Sequence, residues 1–372
     1  MLQFRSAWFV YWCVALFVLV VTLHPSAQTR SLPVELDDRT FWALVTDLSE
    51  PDGFFEDENY VSNELGYERS MRRLQDAVTP GGVFVGVGPE QNFHYAAALK
   101  PAMVFVIDIR RQNAIQHLMY KALFELSEDR ADFVGRLFSR ARPAGLSEES
   151  SVDAILQAYA GASADSRLFD DTLTRMLTTL TERRQFPLSA ADRASLSKVF
   201  TAFRDSGPEL MYVFQGSSER HPTYARMMTA KDETGQSWSY LSSTERFEHV
   251  RSMQRRNLII PVVGDFAGPK ALRAVGRYVR ERGGTVGVFY TSNVESYLFR
   301  NGSWRAFYDS ALTMPFDASA VVVRSFFGAV AKDCASLRPT IRAPVIALVH
   351  PLLEQYRHAE IKTQCDLVSA SR

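Results

Sequence analysis

Apolar positions along this chain recur with two different periods. Short, mostly β-branched apolar runs stand at Val83–Gly88, Met103–Ile107, Leu258–Gly264, Thr285–Tyr290, Ala320–Val323 and Val345–Val349. Runs of that length with no polar alternation predict strands covered on both faces, as in a parallel sheet. Elsewhere the apolar residues fall three and four apart, the period of a helix with one buried face. This holds for Phe41, Leu44, Val45 and Leu48, for Asn113–Leu126, and for Lys270–Arg282, where Leu272, Val275, Tyr278 and Val279 share a side. Strands and helices alternating through short connections predict one open, mostly parallel α/β sheet with right-handed crossovers.

The alternation is interrupted once. From Asp129 to Phe203 the chain is rich in Ala, Leu, Arg and Glu, with helical runs and few strand signals. Ser189-Ala190-Ala191-Asp192 reads as a helix start, the serine capping and the acid complementing the helix dipole. Residues 215–243, rich in Ser, Thr and Gly, read as a long loop. The organisation this predicts is a first sheet part over residues 28–128, opening with a polar, acidic segment to residue 80, then a mainly helical insertion over 129–250. A second sheet part follows over 251–372.

Residues 1–27 stand apart. Arg5 precedes the apolar run Ala7–Leu23, and His24-Pro25-Ser26-Ala27 follows it, the pattern of an export signal cleaved before Gln28. An uncleaved membrane anchor is the rival reading, and either one predicts a translocated body that meets a membrane only through this segment. A cytoplasmic chain is the remaining alternative. Export also permits a disulfide between Cys334 and Cys365, the two cysteines left once Cys13 is set aside; two separate buried thiols are the other reading. Lys plus Arg (42) equals Asp plus Glu (42), so no global field recruits nucleic acid. No CxxC, HExxH or Cys/His cluster is present, so no metal site is expected.

Ligands of open α/β sheets sit outside the carboxyl ends of the strands, where the strand order reverses. The first strand end carries Gly86, Gly88, Glu90, Gln91 and Asn92; the second carries Asp108, twenty residues beyond Gly88. Glycines let a backbone approach a phosphate or similar group, and an acid at that offset reaches ribose hydroxyls in Rossmann-like nucleotide folds. The third end supplies Gly264 and Asp265, and the fourth Tyr290, Thr291, Ser292 and Asn293. A structural reading stands beside the functional one: a tight turn for the glycines, and a helix cap or a partner of Arg110 or Arg111 for Asp108. Gln91 occupies the place of the third fingerprint glycine. Asn113, His117 and Lys121 share a helix face, which makes His117 a candidate base, or else a histidine packed beneath the sheet edge.

Ser62-Asn63-Glu64, Val85–Phe93, Val106–Arg111, His117–Phe124 and Tyr290–Glu295 resemble an uncharacterised bacterial family of unknown function, from about residue 40 to 330. That family is similar in fold to class I S-adenosylmethionine-dependent methyltransferases. The resemblance implies a glycine loop holding the methionine part of S-adenosylmethionine and Asp108 holding its ribose. It adds Asn63 and Glu64 to the candidate residues. Three function classes remain: a methyltransferase-like enzyme, an exported non-catalytic binding or structural domain on the same fold, and a binder of a different small molecule in the same crevice. The methyl donor is a cytoplasmic metabolite, so export and methyl transfer are in tension, and fold alone assigns no activity.

Overall fold

The computed structural model describes residues 31–213, 221–326, 334 and 344–370. The export segment with Cys13, and residues 215–220 of the expected loop, lie outside the described residues. Asp37 starts the first helix, α1 (Asp38–Leu48), by accepting the Thr40 amide at 2.8 Å, and Phe41, Val45 and Leu48 become its buried stripe. A second helix, α2 (Tyr67–Ala77), leads into β1 (Val83–Gly86). Then α3 (Gln91–Leu99), β2 (Met103–Asp108) and α4 (Arg111–Leu126) follow in strict alternation. Every residue of β1 and β2 is buried, the outcome that uninterrupted apolar runs predict.

The interruption is helical. It comprises α5 (Arg130–Phe138), α6 (Val152–Ala160), α7 (Ser166–Thr178), α8 (Ala190–Ser206) and α9 (Tyr224–Thr229). Ser189 and Asp192 form a reciprocal capping box at the start of α8. The segment read as a loop over 215–243 holds α9, which the Thr223 hydroxyl caps and which buries Tyr224, Met227 and Met228. Six residues are too few to show a helical period in the sequence. The next helix, α10 (Thr244–Arg255), runs across position 250 and delivers the chain to β3 (Ile259–Val263). Buried residues of the insertion and the sheet form one continuous core.

The second half adds α11 (Ala271–Arg280), β4 (Val286–Ser292), α12 (Val294–Asn301), α13 (Trp304–Ala311) and β5 (Phe316–Arg324). It ends with β6 (Val345–Leu348), α14 (Val349–Arg357) and α15 (Gln364–Ser369). The six strands run in the order β3-β2-β1-β4-β5-β6. All neighbours are parallel except β5 and β6, which are antiparallel. The architecture is Rossmann-like, and the strand order reverses between β1 and β4. A disulfide joins Cys334 to Cys365 on α15. Among the described residues no helix is long and apolar enough to cross a membrane.

Candidate functional site

The carboxyl ends of the strands are covered by a strap, residues 49–66, between α1 and α2. At the β3 end, Glu50 accepts the amides of Lys270 and Ala271, both at 2.7 Å, and that of Asp265 at 3.2 Å. The unsatisfied N–H groups that open α11 are thereby occupied by a carboxylate of the chain itself. Asp265 turns inward and accepts the Ala267 amide at 2.9 Å. A Cβ on Gly264 would stand 2.2 Å from that of Ala271, so this glycine serves the close packing of α11 on β3.

At the β2 end, Asp108 is held by its near neighbour. Arg110 donates from Nε to Oδ1 and from Nη2 to Oδ2, both at 3.2 Å, and from its backbone amide at 3.0 Å. Its remaining Nη1 reaches the Asp57 carbonyl at 3.1 Å, and its guanidinium lies 5.3 Å from the centre of the Phe55 ring. The strap closes over this end as Asp52 accepts the Arg111 amide at 2.7 Å and Gly53 donates to the Ile109 carbonyl at 2.9 Å.

At the β1 end the glycine loop folds around Asn92. The Asn92 amide group donates to the carbonyls of Val87, Gly88 and Pro89 at 3.0, 3.1 and 2.7 Å. A Cβ on Gly86 would stand 2.1 Å from Asn92 Oδ1 and 2.6 Å from the Phe84 ring. Gly88, at φ +78°, faces open space. Gly86→Ala should therefore cost about 2–4 kcal/mol, the range for a core forced apart. Gly88→Ala pays only the smaller penalty of its left-handed backbone, about 1 kcal/mol. Urea unfolding of both variants checks the order, and equal losses would refute it.

Between β1, β4 and β5 the strap inserts Ser62, Asn63 and Glu64. Ser62 donates its amide to Glu90 Oε1 at 3.1 Å and its hydroxyl to Gln91. Gln91 in turn donates to Glu64 at 3.3 Å. Glu64 accepts hydroxyls from Ser292 and, at 2.7 Å, from Ser325. Burial raises its pKa against those hydrogen bonds. Burial also pushes Glu90 up to about 7. Tyr290 packs its ring 4.9 Å from that of Tyr95, and burial beside Glu64 holds its hydroxyl well above the usual range. Asn63, Ser292 and Asn293 are half-buried and form the rim.

His117 lies beneath the sheet edge, 2 % exposed, with Nε2 at 2.9 Å from the Gly88 carbonyl. That contact requires a proton on Nε2, which leaves Nδ1 as an acceptor. Burial holds its pKa down at about 4. Lys121 does not stand beside it as an ammonium partner; it donates to the Gln254 carbonyl and lies 3.8 Å from Glu125. Among the described residues, Glu90 Oε2, His117 Nδ1, Asn113 Nδ2 and Asn59 Oδ1 are four of the buried polar atoms with no hydrogen-bond partner. Asn113 and His117 share one face of α4, and the Gly88 contact ties that face to the loop carrying Glu90. The strap residue after Asn59 is held to α4 by a 2.6 Å hydrogen bond from Gln116 to the Tyr60 carbonyl.

Strand-end reasoning brought Gly86, Glu90, Gln91, Asn92 and Asp108 to one edge with Tyr290 and Ser292, and the structure places them there. It missed Glu50, Asp52, Asn59 and Ser325, because strap residues show no period and their partners lie far along the chain. Among the described residues no group of three or more His, Cys, Asp or Glu is placed to hold a metal ion.

The fold and its occupied strand edge define a Rossmann-like α/β protein with a polar site at the switch point. Residues 60–337 match the family described as Domain of unknown function (DUF7790), and the chain belongs to it. The match runs from the strap through the insertion and past β5. No curated protein matches the chain.

Proposed function

We propose that the protein binds a small polar molecule at the carboxyl ends of β1 and β2, beneath the strap. The carrying observation is the set of four unpartnered buried atoms on Glu90, His117, Asn113 and Asn59. Leaving a buried donor or acceptor unsatisfied costs about 1–3 kcal/mol, so several around one stretch of α4 favour an occupant. His117 Nδ1 and Asn59 Oδ1 accept, Asn113 Nδ2 donates and Glu90 Oε2 does either according to its protonation, a mixture that suits a ligand bearing hydroxyl groups.

An S-adenosylmethionine site, which the methyltransferase resemblance implies, does not fit the arrangement described. Both Asp108 oxygens are engaged by Arg110, Asn92 fills the space at Gly86, and Glu50 occupies the start of α11. A binding domain that keeps a methyltransferase-like fold without its chemistry is therefore the favoured class. The Cys334–Cys365 bridge supports an exported location, because disulfides persist in oxidising compartments.

Native mass spectrometry of the full chain should show a copurifying small molecule that Asn113→Ala, with unchanged melting, loses. Titration of millimolar S-adenosylmethionine or S-adenosylhomocysteine should give no heat. Saturable heat that disappears in Asp108→Ala would instead establish the adenosyl site. A bare chain of unmodified mass, together with no heat, would overturn the ligand reading.

A further inference from the structure

We propose that Ser292 is a nucleophile activated by Glu64, making the β4–β5 edge an acyl-transfer site for small carboxylic esters. Ser292 ends β4 and is followed by Asn293 and then α12, so it sits on a sharp strand-to-helix turn. Its φ is +53°, a left-handed backbone that a serine adopts at a cost. Strand–turn–helix geometry with a strained serine at the apex is how α/β hydrolases expose a nucleophile above the sheet. The glycines that flank such serines in sequence are absent here, Tyr290 and Val294 standing in their places.

The partner is already in place. The Ser292 hydroxyl donates to Glu64 Oε1, while Ser325 at 2.7 Å and Gln91 at 3.3 Å fix the other carboxylate oxygen. This is a nucleophile within reach of a base whose own orientation is locked by further groups. Burial raises the Glu64 pKa, which makes its carboxylate a stronger base than one in water. Ser292, Asn293 and Asn63 are half-buried, so the hydroxyl lies between the buried cluster and solvent. Among the described residues no side chain caps α12, which leaves its first-turn amides beside Ser292 to receive a developing oxyanion.

In the reaction, Ser292 Oγ bonds to the ester carbonyl carbon as its proton passes to Glu64. The ester C–O bond then breaks, and the alcohol leaves with that proton. Water, deprotonated by Glu64, attacks the acyl-serine, and the acid departs as Ser292 Oγ regains a proton from Glu64. The sum is ester plus water giving acid plus alcohol.

The test is labelling of the full chain by a fluorophosphonate probe, with the adduct located by peptide mapping, alongside p-nitrophenyl acetate hydrolysis. A single adduct on Ser292 is expected. Ser292→Gly should lose it while remaining folded by circular dichroism, because the relief of the positive φ offsets part of the hydrogen bond lost at Glu64. Glu64→Gln, folded by circular dichroism, should label roughly 100-fold more slowly, the scale of a lost general base. No adduct on Ser292 in the wild type, or equal labelling of Glu64→Gln, would overturn the proposal. These readouts follow Ser292 alone, so their failure is distinguishable from failure of the ligand reading at β1 and β2.

Discussion

Replacing Glu295 by Ala should lower the stability of the fold by about 3–5 kcal/mol, the cost of leaving one member of a buried ion pair without the other. Glu295 and Arg324 meet at 2.9 Å with side chains 3 % and 1 % exposed, between α12 and the end of β5. Tyr308 donates to the same carboxylate at 2.5 Å and Thr291 at 3.3 Å. Truncation therefore takes the carboxylate away from a buried guanidinium and from the buried Tyr308 hydroxyl in one place. Removing the charge from both sides is a different matter. A Glu295→Met, Arg324→Leu double variant should recover most of the loss, since a packed apolar pair often equals a buried ionic one. Urea unfolding of the two single variants and the double one measures the coupling. A single-variant loss below about 1 kcal/mol would show that the pair is solvated in solution.

The second large effect is a pH dependence seated at Glu90. Its folded pKa, raised by burial from 4.5 to about 7, means that the native chain holds a proton that the unfolded chain releases. Between those values the folded state binds more protons, so this group's contribution to stability falls as pH rises from 4.5 to about 7. The full penalty above that window is on the order of 3 kcal/mol. His117, depressed to about 4, acts in the opposite sense, its contribution rising from pH 4 to 6.5. The wild-type profile alone therefore conceals both. The difference between wild type and Glu90→Gln isolates the carboxyl: near zero at pH 4, with the variant more stable by roughly 3 kcal/mol at pH 8. Thermal melts of the pair across that range decide it. A difference that does not change with pH would place the Glu90 carboxyl in contact with water.

The sheet was legible because its signal is local. All six apolar runs became strands, since a strand covered on both faces must be apolar along its whole length, and that requirement is written residue by residue. The helix start at Ser189 was legible for the same reason: cap and acid lie three residues apart. Asp108 stood halfway. The sequence offered a ribose or a nearby arginine as its partner, and the structure places both Asp108 oxygens on Arg110.

In the strap the resemblance marked Asn63 and Glu64 as candidates, but no local pattern said where the strap lies or what its acids meet. Glu50 meets amides some 220 positions away, and Glu64 meets Ser292 across 228. Read singly, each is an acid in a polar segment, and no spacing rule connects it to a strand end.

What the sequence determined by itself was therefore the alternation, the place of the helical insertion and the list of polar residues delivered to strand ends. Those follow from local periods of burial and from caps within a few residues. Tertiary structure alone decided the strand order that sets β1 beside β4, and the strap that lies across their ends. It also decided which carboxylates meet arginines, amides or hydroxyls. Hydrophobic burial needs only an apolar side chain facing the core, and many partners serve. A buried carboxylate needs particular donors within about 3 Å, and only the closed chain supplies them.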